Sequence, residues 1–418
     1  MKITNLFLKL KNFSNILFDQ IIVSGSNFII SILLIRFLDL EIFGKFSFLW
    51  LILLLINSVH LSYIISPMIT NAGKQNKNES KSFYGSVILH QILFSSLICL
   101  ILFMILNFFG DLVPNFNLKE YSISFTFTVL LSQFYQLTRR LLFCINQTFK
   151  ALILDISTYA ILIFALVYFN FYEGLNINLI LWLFNFTYLF VVILNFKIFY
   201  KMNYKIHLFY KNFILNWKIA KWLLYASIIQ WFSSNLWVIN SGFILGAKML
   251  GIIRACQTII GISNIFYQSF ENLIPINVTK KLKTKGIKAM LKYLKEFRII
   301  SLSISIVLSF LLILFSDQIL KLFYGNEISK FSDILSYLSL TIPLNFFILP
   351  YVYGLRTMQN TKPIFISFLL SSIVALATSN YIITNYDIKG FIFGTYLSQI
   401  IILLILSFYF RKIVKKIL

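Results

Sequence analysis

The chain has 418 residues, of which 59% are hydrophobic and only 12% are charged, yet its formal net charge is +23. A mean hydropathy of +0.84, with uncharged runs recurring from end to end, excludes a soluble globular domain and points to an all-α polytopic membrane protein. The excess of Lys and Arg does not call for a nucleic-acid partner, because loops at a membrane surface account for it.

A spanning helix needs roughly 20 apolar residues. Twelve runs meet that requirement, at 15–37, 43–66, 84–109, 121–145, 150–172, 177–199, 218–244, 252–276, 298–324, 332–357, 362–385 and 389–410. Lys2, Lys9 and Lys11 precede a long first run with no small-residue cleavage site after it. That pattern predicts a retained first helix rather than a signal peptide. The longest connections, 67–83, 200–217 and 277–297, are too short for an extramembrane domain. Pro67 and Pro275 are expected to close the second and eighth helices. Cys99, Cys144 and Cys256 lie in or beside apolar runs without paired spacing, so neither a disulfide nor a metal site is expected. There is no phosphate-cradling glycine loop, nucleophile elbow or metal-spaced His/Cys set. The expectation is therefore no enzyme, no bound cofactor and no ATP use.

Basic residues set the orientation. With the N-terminus in the cytoplasm, 29 of the 37 Lys and Arg fall on the inner side, and nine of the 14 acids fall on the outer side. Both termini are thus expected in the cytoplasm. Basic connections such as "KKLKTKGIKAMLKYLKEFR" would rest on anionic membrane lipids.

The chain also repeats itself. "SGSNFIISILLIRFLDLEIFGKF" (24–46) parallels "SSNLWVINSGFILGAKMLGIIR" (233–254), with Ser26-Asn27 over Ser234-Asn235 and Gly44 over Gly251 after a one-residue gap. At the same shift Pro67 falls on Pro275 and His60 on Gln268, and "NQTFKA" (146–151) resembles "MQNTKP" (358–363). Four matches in one order imply two homologous six-helix halves of like orientation. The expected division is an N-terminal bundle at 1–199, a cytoplasmic linker at 200–217 and a C-terminal bundle at 218–418.

Polar groups inside apolar runs carry the functional signal. Gln20, Ser24, Asn27 and Ser31 share one face of the first helix, as do Ser227, Gln230, Ser234 and Ser241 on the seventh, beside Asn235. Asn264, Gln268 and Glu271 share a face of the eighth. Such stripes either join helices or line a watery cavity; three together favour a cavity. Ionisable groups are rarer, since a charge at the bilayer centre costs about 2.5–3.5 kcal/mol on insertion scales. Arg139 and Arg140 either snorkel to the headgroups or face inward, and they diverge by about 100°. Arg140 shares a face with Gln133 and Gln136, which makes it the better cavity candidate. Arg356 is the third candidate cation. Asp19 and Asp155 lie near the ends of helices one and five, and Asp155 is placed to pair with Arg139 or Arg140. His60 and His90 read as core residues.

Three stretches, "IRFLDLEIFGKFSF" (35–48), "RRLLFCINQTFKALILDI" (139–156) and "SSNLWVINSGFILGAKMLGIIRACQTIIG" (233–261), give the chain a resemblance to polysaccharide exporters of the MOP superfamily, close to the Wzx-type O-antigen flippases. The resemblance implies a MOP/MATE-like fold of twelve helices in two pseudo-symmetric bundles, in the bacterial cytoplasmic (inner) membrane. It implies an undecaprenyl-diphosphate-linked oligosaccharide as cargo, moved by alternating access for lipopolysaccharide or another surface polysaccharide. Other polysaccharide-assembly membrane proteins would be further partners. Sugars and a diphosphate cannot cross hydrocarbon unaided, and Arg suits a diphosphate through paired charge-assisted hydrogen bonds. The drive would be a proton or sodium gradient, with Glu271, Asp155 or Asp19 as the titrating group. Two rivals stand beside this reading. A cation-coupled multidrug exporter of the same superfamily would call for an acidic cavity. A membrane-embedded polysaccharide polymerase or ligase would call for a large external loop.

Overall fold

In hydrocarbon every backbone N–H and C=O must find its partner within the protein. The computed structural model, which describes residues 2–72, 77–113 and 115–417, meets this with helix from end to end and, among the described residues, no strand. Lys74, one of the basic residues of the 67–83 connection, lies outside the described residues.

The helices are α1 (Lys2–Phe37), α2 (Leu40–His60), α3 (Lys77–Phe109), α4 (Ser122–Cys144), α5 (Thr148–Tyr172) and α6 (Ile177–Leu194). A continuous helical stretch, Ile206–Leu314, follows. It breaks where Gly246 (φ 86°) and Gly286 (φ 74°) take left-handed conformations that an L side chain resists. The breaks leave α7 (206–245), α8 (247–285, tightened to a 3₁₀ turn at Gly261–Ser263) and α9 (287–314). Then come α10 (Ser332–Ser339 continuing as Thr341–Thr357) and Lys362–Ile417, which a positive φ at Asp387 divides into α11 and α12. Twelve helices of spanning length result among the described residues, making an all-α polytopic membrane protein.

Two sequence expectations need correction. Neither proline ends its helix. Pro67 cannot donate to the carbonyl one turn earlier, and the chain widens to a π turn at Leu61–Ile65, then continues to Ala72. Pro275 lies inside helix that runs on to 285. Within the connection 200–217, expected as a cytoplasmic linker, helix begins at Ile206. Its polar and aromatic side chains find partners on α2 and α3. Asn71 donates to Asn216 at 2.9 Å, Asn212 donates to Ser86 at 2.9 Å, and His90 lies 4.2 Å from the Phe209 ring.

The chain forms two compact units, Met1–Ile42 with Leu49–Ile228, and Phe43–Phe48 with Ile229–Leu418. The short segment joins the second unit because Gly44 lies on the Ala247 carbonyl, where a Cβ would collide, and Phe48 packs 5.4 Å from Phe243.

The two units repeat their internal pairings. In the first, α1 meets α5 through Asn27 and Tyr159, while α4 meets α6 through Ser124, Asn178 and Asn185. In the second, α7 meets α11 through Ser233 and Ser371 at 3.1 Å, while α10 meets α12 through Tyr396 and the Tyr337 carbonyl. On α11, Ser367, Ser371, Ala375 and Ser379 are all fully buried. Their small side chains at one-turn spacing let neighbouring backbones approach, which is how helices associate where lipid is as apolar as leucine.

Candidate functional site

The first unit contains a buried ionic cluster assembled from three helices. Arg139 on α4 donates through Nε to Asp155 Oδ2 on α5 at 2.5 Å and through Nη2 to Asp19 on α1. Tyr135, one turn before Arg139, donates to the other oxygen of Asp155. Its ring stacks on Tyr188 of α6 with centroids 5.0 Å apart. Tyr159, one turn after Asp155, accepts from Asn27 at 3.3 Å. Arg139, Asp19, Asp155 and Tyr135 are all buried. Two carboxylates therefore face one guanidinium, and Asp19 Oδ1 is buried without a hydrogen-bond partner. Ionised, the trio of Arg139, Asp19 and Asp155 sums to one negative charge, and the adjacent Arg140 acts electrostatically on both carboxylates; burying so many charges is costly in a low-dielectric interior.

This corrects the expectation for Arg139. It neither snorkels nor faces a cavity, because two acids hold it in the interior. The neighbouring Arg140, on a diverging face, is half-buried, and its Nε has no hydrogen-bond partner. Gln133, expected beside Arg140 on a cavity wall, is instead fully buried. It ends a chain in which His60 donates to Gln91 (2.5 Å), Gln91 to Ser95 (2.5 Å) and Ser95 to Gln133 (2.5 Å). That chain joins α2, α3 and α4 and partners most of its polar groups, leaving Gln133 Nε2 buried without a hydrogen bond. His60 is thus a core residue.

On α1, Gln20, Ser24 and Asn27 are exposed, with Gln20 donating to Ser24 at 3.2 Å. In the second unit, Gln230 and Ser234 of α7 and Asn264 and Gln268 of α8 are also exposed. Ser234 donates back to the Gln230 carbonyl at 3.0 Å, and the half-buried Asn235 donates to the Trp231 carbonyl at 2.8 Å. Both side chains are thereby partly satisfied by their own helix. Arg356 of α10 pairs with Glu271 of α8, each side chain more than a third exposed. Two residues expected in separate roles, a cavity cation and a coupling acid, form one pair. Among the described residues no group of three His, Cys, Asp or Glu side chains has the geometry of a metal site.

Comparison with known proteins supplies the fold. A family model, MatE, matches residues 223–382. Among solved structures, the chain is similar to the lipid II flippase MurJ in an inward closed conformation. The TM-score is 0.70 at 18% identity, over 96% of this chain and 87% of that one. It is also similar to a multidrug resistance MATE family transporter of the MOP superfamily in an inward-facing conformation, with a TM-score of 0.77 at 10% identity, over 93% and 95%. The chain has the fold of the MOP-superfamily transporters. A MOP-superfamily transporter from Pyrococcus furiosus, described as having a binding pocket of reversed polarity, matches with a TM-score of 0.64 at 11% identity, over 96% and 94%. No curated protein matches in sequence.

Within that MOP fold, residues overlooked at the sequence level are Tyr135, Tyr159, Gln91 and Ser95. A signal for the first two was present. Tyr135 stands four residues before Arg139 and Tyr159 four after Asp155, so each shares a helix face with its charge. Aromatics make up 18% of the chain, and that abundance hid both.

Proposed function

We propose that this chain is a flippase that moves a polyprenyl-diphosphate-linked oligosaccharide from the inner to the outer leaflet of the bacterial cytoplasmic membrane, with both termini in the cytoplasm. The observation that carries the reading is the set of exposed polar side chains within spanning helices: Gln20, Ser24 and Asn27 in the first unit, and Gln230, Ser234, Asn264, Gln268 and the Arg356–Glu271 pair in the second. Lipid offers such groups no hydrogen bonds, so intramembrane polar surface belongs to a watery path. Amides and hydroxyls suit sugars. Arg140, with an unsatisfied buried donor, suits a diphosphate. The buried Asp19–Arg139–Asp155 cluster is the proposed ion-coupling element, because it holds two carboxylates inside the bundle and Asp19 Oδ1 has no hydrogen-bond partner to occupy it.

A solved structure of similar fold is a lipid II flippase, which favours a lipid-linked cargo. The match to a MatE family model favours a second reading, a cation-coupled drug exporter. The charges favour the lipid-linked cargo. The exposed intramembrane acid Glu271 is already paired with Arg356, which leaves no free carboxylate there for a cationic drug.

The test is reconstitution of the purified protein into liposomes with a fluorescent polyprenyl-diphosphate oligosaccharide, whose transfer an impermeant quencher reports. Transfer is expected, and Arg140→Ala is expected to slow it at least tenfold while the protein still folds and inserts. Ethidium efflux without lipid transfer would establish the drug exporter instead.

A further inference from the structure

The first unit holds a second charged site, remote from the ionic cluster in chemistry and in lining. A cleft of about 340 Å³ opens among the N-terminal turns of α3, the α4–α5 junction and the short helix Phe196–Tyr200 after α6. Lys81, Lys150, Lys197 and Lys201 line it, with Ser80, Tyr84 and Gln147 as neutral polar lining and Ile145, Ile198 and Met202 as apolar wall. Among the described lining residues there is no carboxylate. None of the four lysines forms an ion pair with a described residue.

The cleft is built rather than incidental. Its floor is the packed cluster of Phe83, Tyr84, Leu141 and Phe199. The Asn203 amide donates to the Lys81 carbonyl at 3.2 Å, and the Tyr204 hydroxyl donates to the Phe199 carbonyl at 2.7 Å. Gly85 sits where a Cβ would strike the Asn203 carbonyl, so glycine is what lets the 201–205 connection approach α3 and bring Lys201 towards Lys81.

Four ammonium groups lining one cleft repel one another, and salt screens that repulsion only over about 8–10 Å. The start of α5, where Gln147 and Lys150 stand, adds the positive end of a helix dipole. An anion of more than one charge relieves both. We propose that this cleft binds a phosphate-bearing anion, supplied either by the headgroup of an anionic phospholipid or by a free diphosphate. The proposal does not depend on the cargo. It uses the orientation above only to place the cleft at the cytoplasmic surface. The basic stretch 280–298 is richer in lysine; its Lys283 on α8 and its Lys288 and Lys292 on α9 are as exposed as the cleft lysines, but they do not line this cavity.

The test uses the purified, delipidated full-length protein. One arm measures fluorescent phosphatidylglycerol against phosphatidylcholine in detergent micelles. The other measures radiolabelled inorganic diphosphate. In at least one arm, saturable binding is expected that Lys150→Gln with Lys197→Gln weakens roughly tenfold or more, two lysines near an anionic group being worth about that much. Lys150→Arg with Lys197→Arg should retain it, and Lys288→Gln with Lys292→Gln should not alter it. Binding in the first arm alone identifies the lipid headgroup, in the second alone the free anion, and mutual competition the shared phosphate chemistry. No saturable binding in either arm, or equal loss from the cleft and the 288/292 variants, overturns the proposal.

Discussion

Arg139 is the residue whose removal the first unit should tolerate least. It is buried between Asp19 and Asp155, so Arg139→Met removes the one cation bonded to both carboxylates. Breaking a buried pair from one side costs about 3–5 kcal/mol, and thermal unfolding in detergent should show it as a marked fall in Tm. Adding Asp19→Asn and Asp155→Asn to the same chain removes the stranded charge and should recover most of the loss. Equal instability of the triple variant would mean that packing, and not charge, holds α1, α4 and α5 together. The sequence carried half of this cluster. Each of the three charges stood out as costly in hydrocarbon, and a pairing of Asp155 with one of two adjacent arginines followed from proximity. Which arginine turns inward depends on a third helix, and no spacing along the chain says that Asp19, 120 residues from Arg139, lies opposite it. Gln133 failed for a related reason. Its helical face was right, but polar side chains from α2 and α3 had already closed over that part of it.

Helices were legible almost throughout, because a backbone in lipid has few other ways to satisfy itself. Their ends were not. Proline was expected to close α2 and α8, whereas a π turn absorbs Pro67 and the helix passes Pro275. The real breaks lie at Gly246, Gly286 and Asp387, and only a positive φ distinguishes them. Asp387, with φ 49° and ψ −134°, stands in a region suited to glycine. Asp387→Gly should hold stability within about 0.5 kcal/mol, whereas Asp387→Val should lose about 1–3 kcal/mol, since a β-branched residue resists that backbone. Comparing the Tm values of the two variants checks this, and equal values would show that the break has little strain. On α11 the fully buried stripe of Ser367, Ser371, Ala375 and Ser379 permits close packing. Ser371→Leu inserts a branched chain where Ser233 of α7 now lies 3.1 Å away. The expected cost is about 1–3 kcal/mol from overpacking, read as a lower Tm, while Ser371→Ala should lose well under half of that. The stripe escaped notice because serine in an apolar run reads equally as cavity lining and as helix contact.

At the scale of the whole molecule, composition gave the membrane class, and the two units have matching pairings, α1 with α5 and α7 with α11. The charge asymmetry makes the sharpest remaining claim. If Lys and Arg set the topology, then the α3–α4 connection and the approach to α10 lie on one side of the membrane, and the α8–α9 connection lies on the other. Lys119, Lys330 and Lys285 are exposed in those three places, so each can carry a reporter without disturbing the core. With Cys99, Cys144 and Cys256 replaced by serine, Lys119→Cys and Lys330→Cys should react with an impermeant maleimide in intact cells. Lys285→Cys should react only in inverted vesicles. An even number of spans separates Lys119 from Lys330, so the two must agree whatever the orientation, and disagreement between them would refute the twelve-span count itself. Agreement with the sides exchanged would keep the count and reverse the membrane orientation. In that case the lysine cleft of the first unit would face outward, and a flippase loading from the cytoplasm would have to be read the other way round.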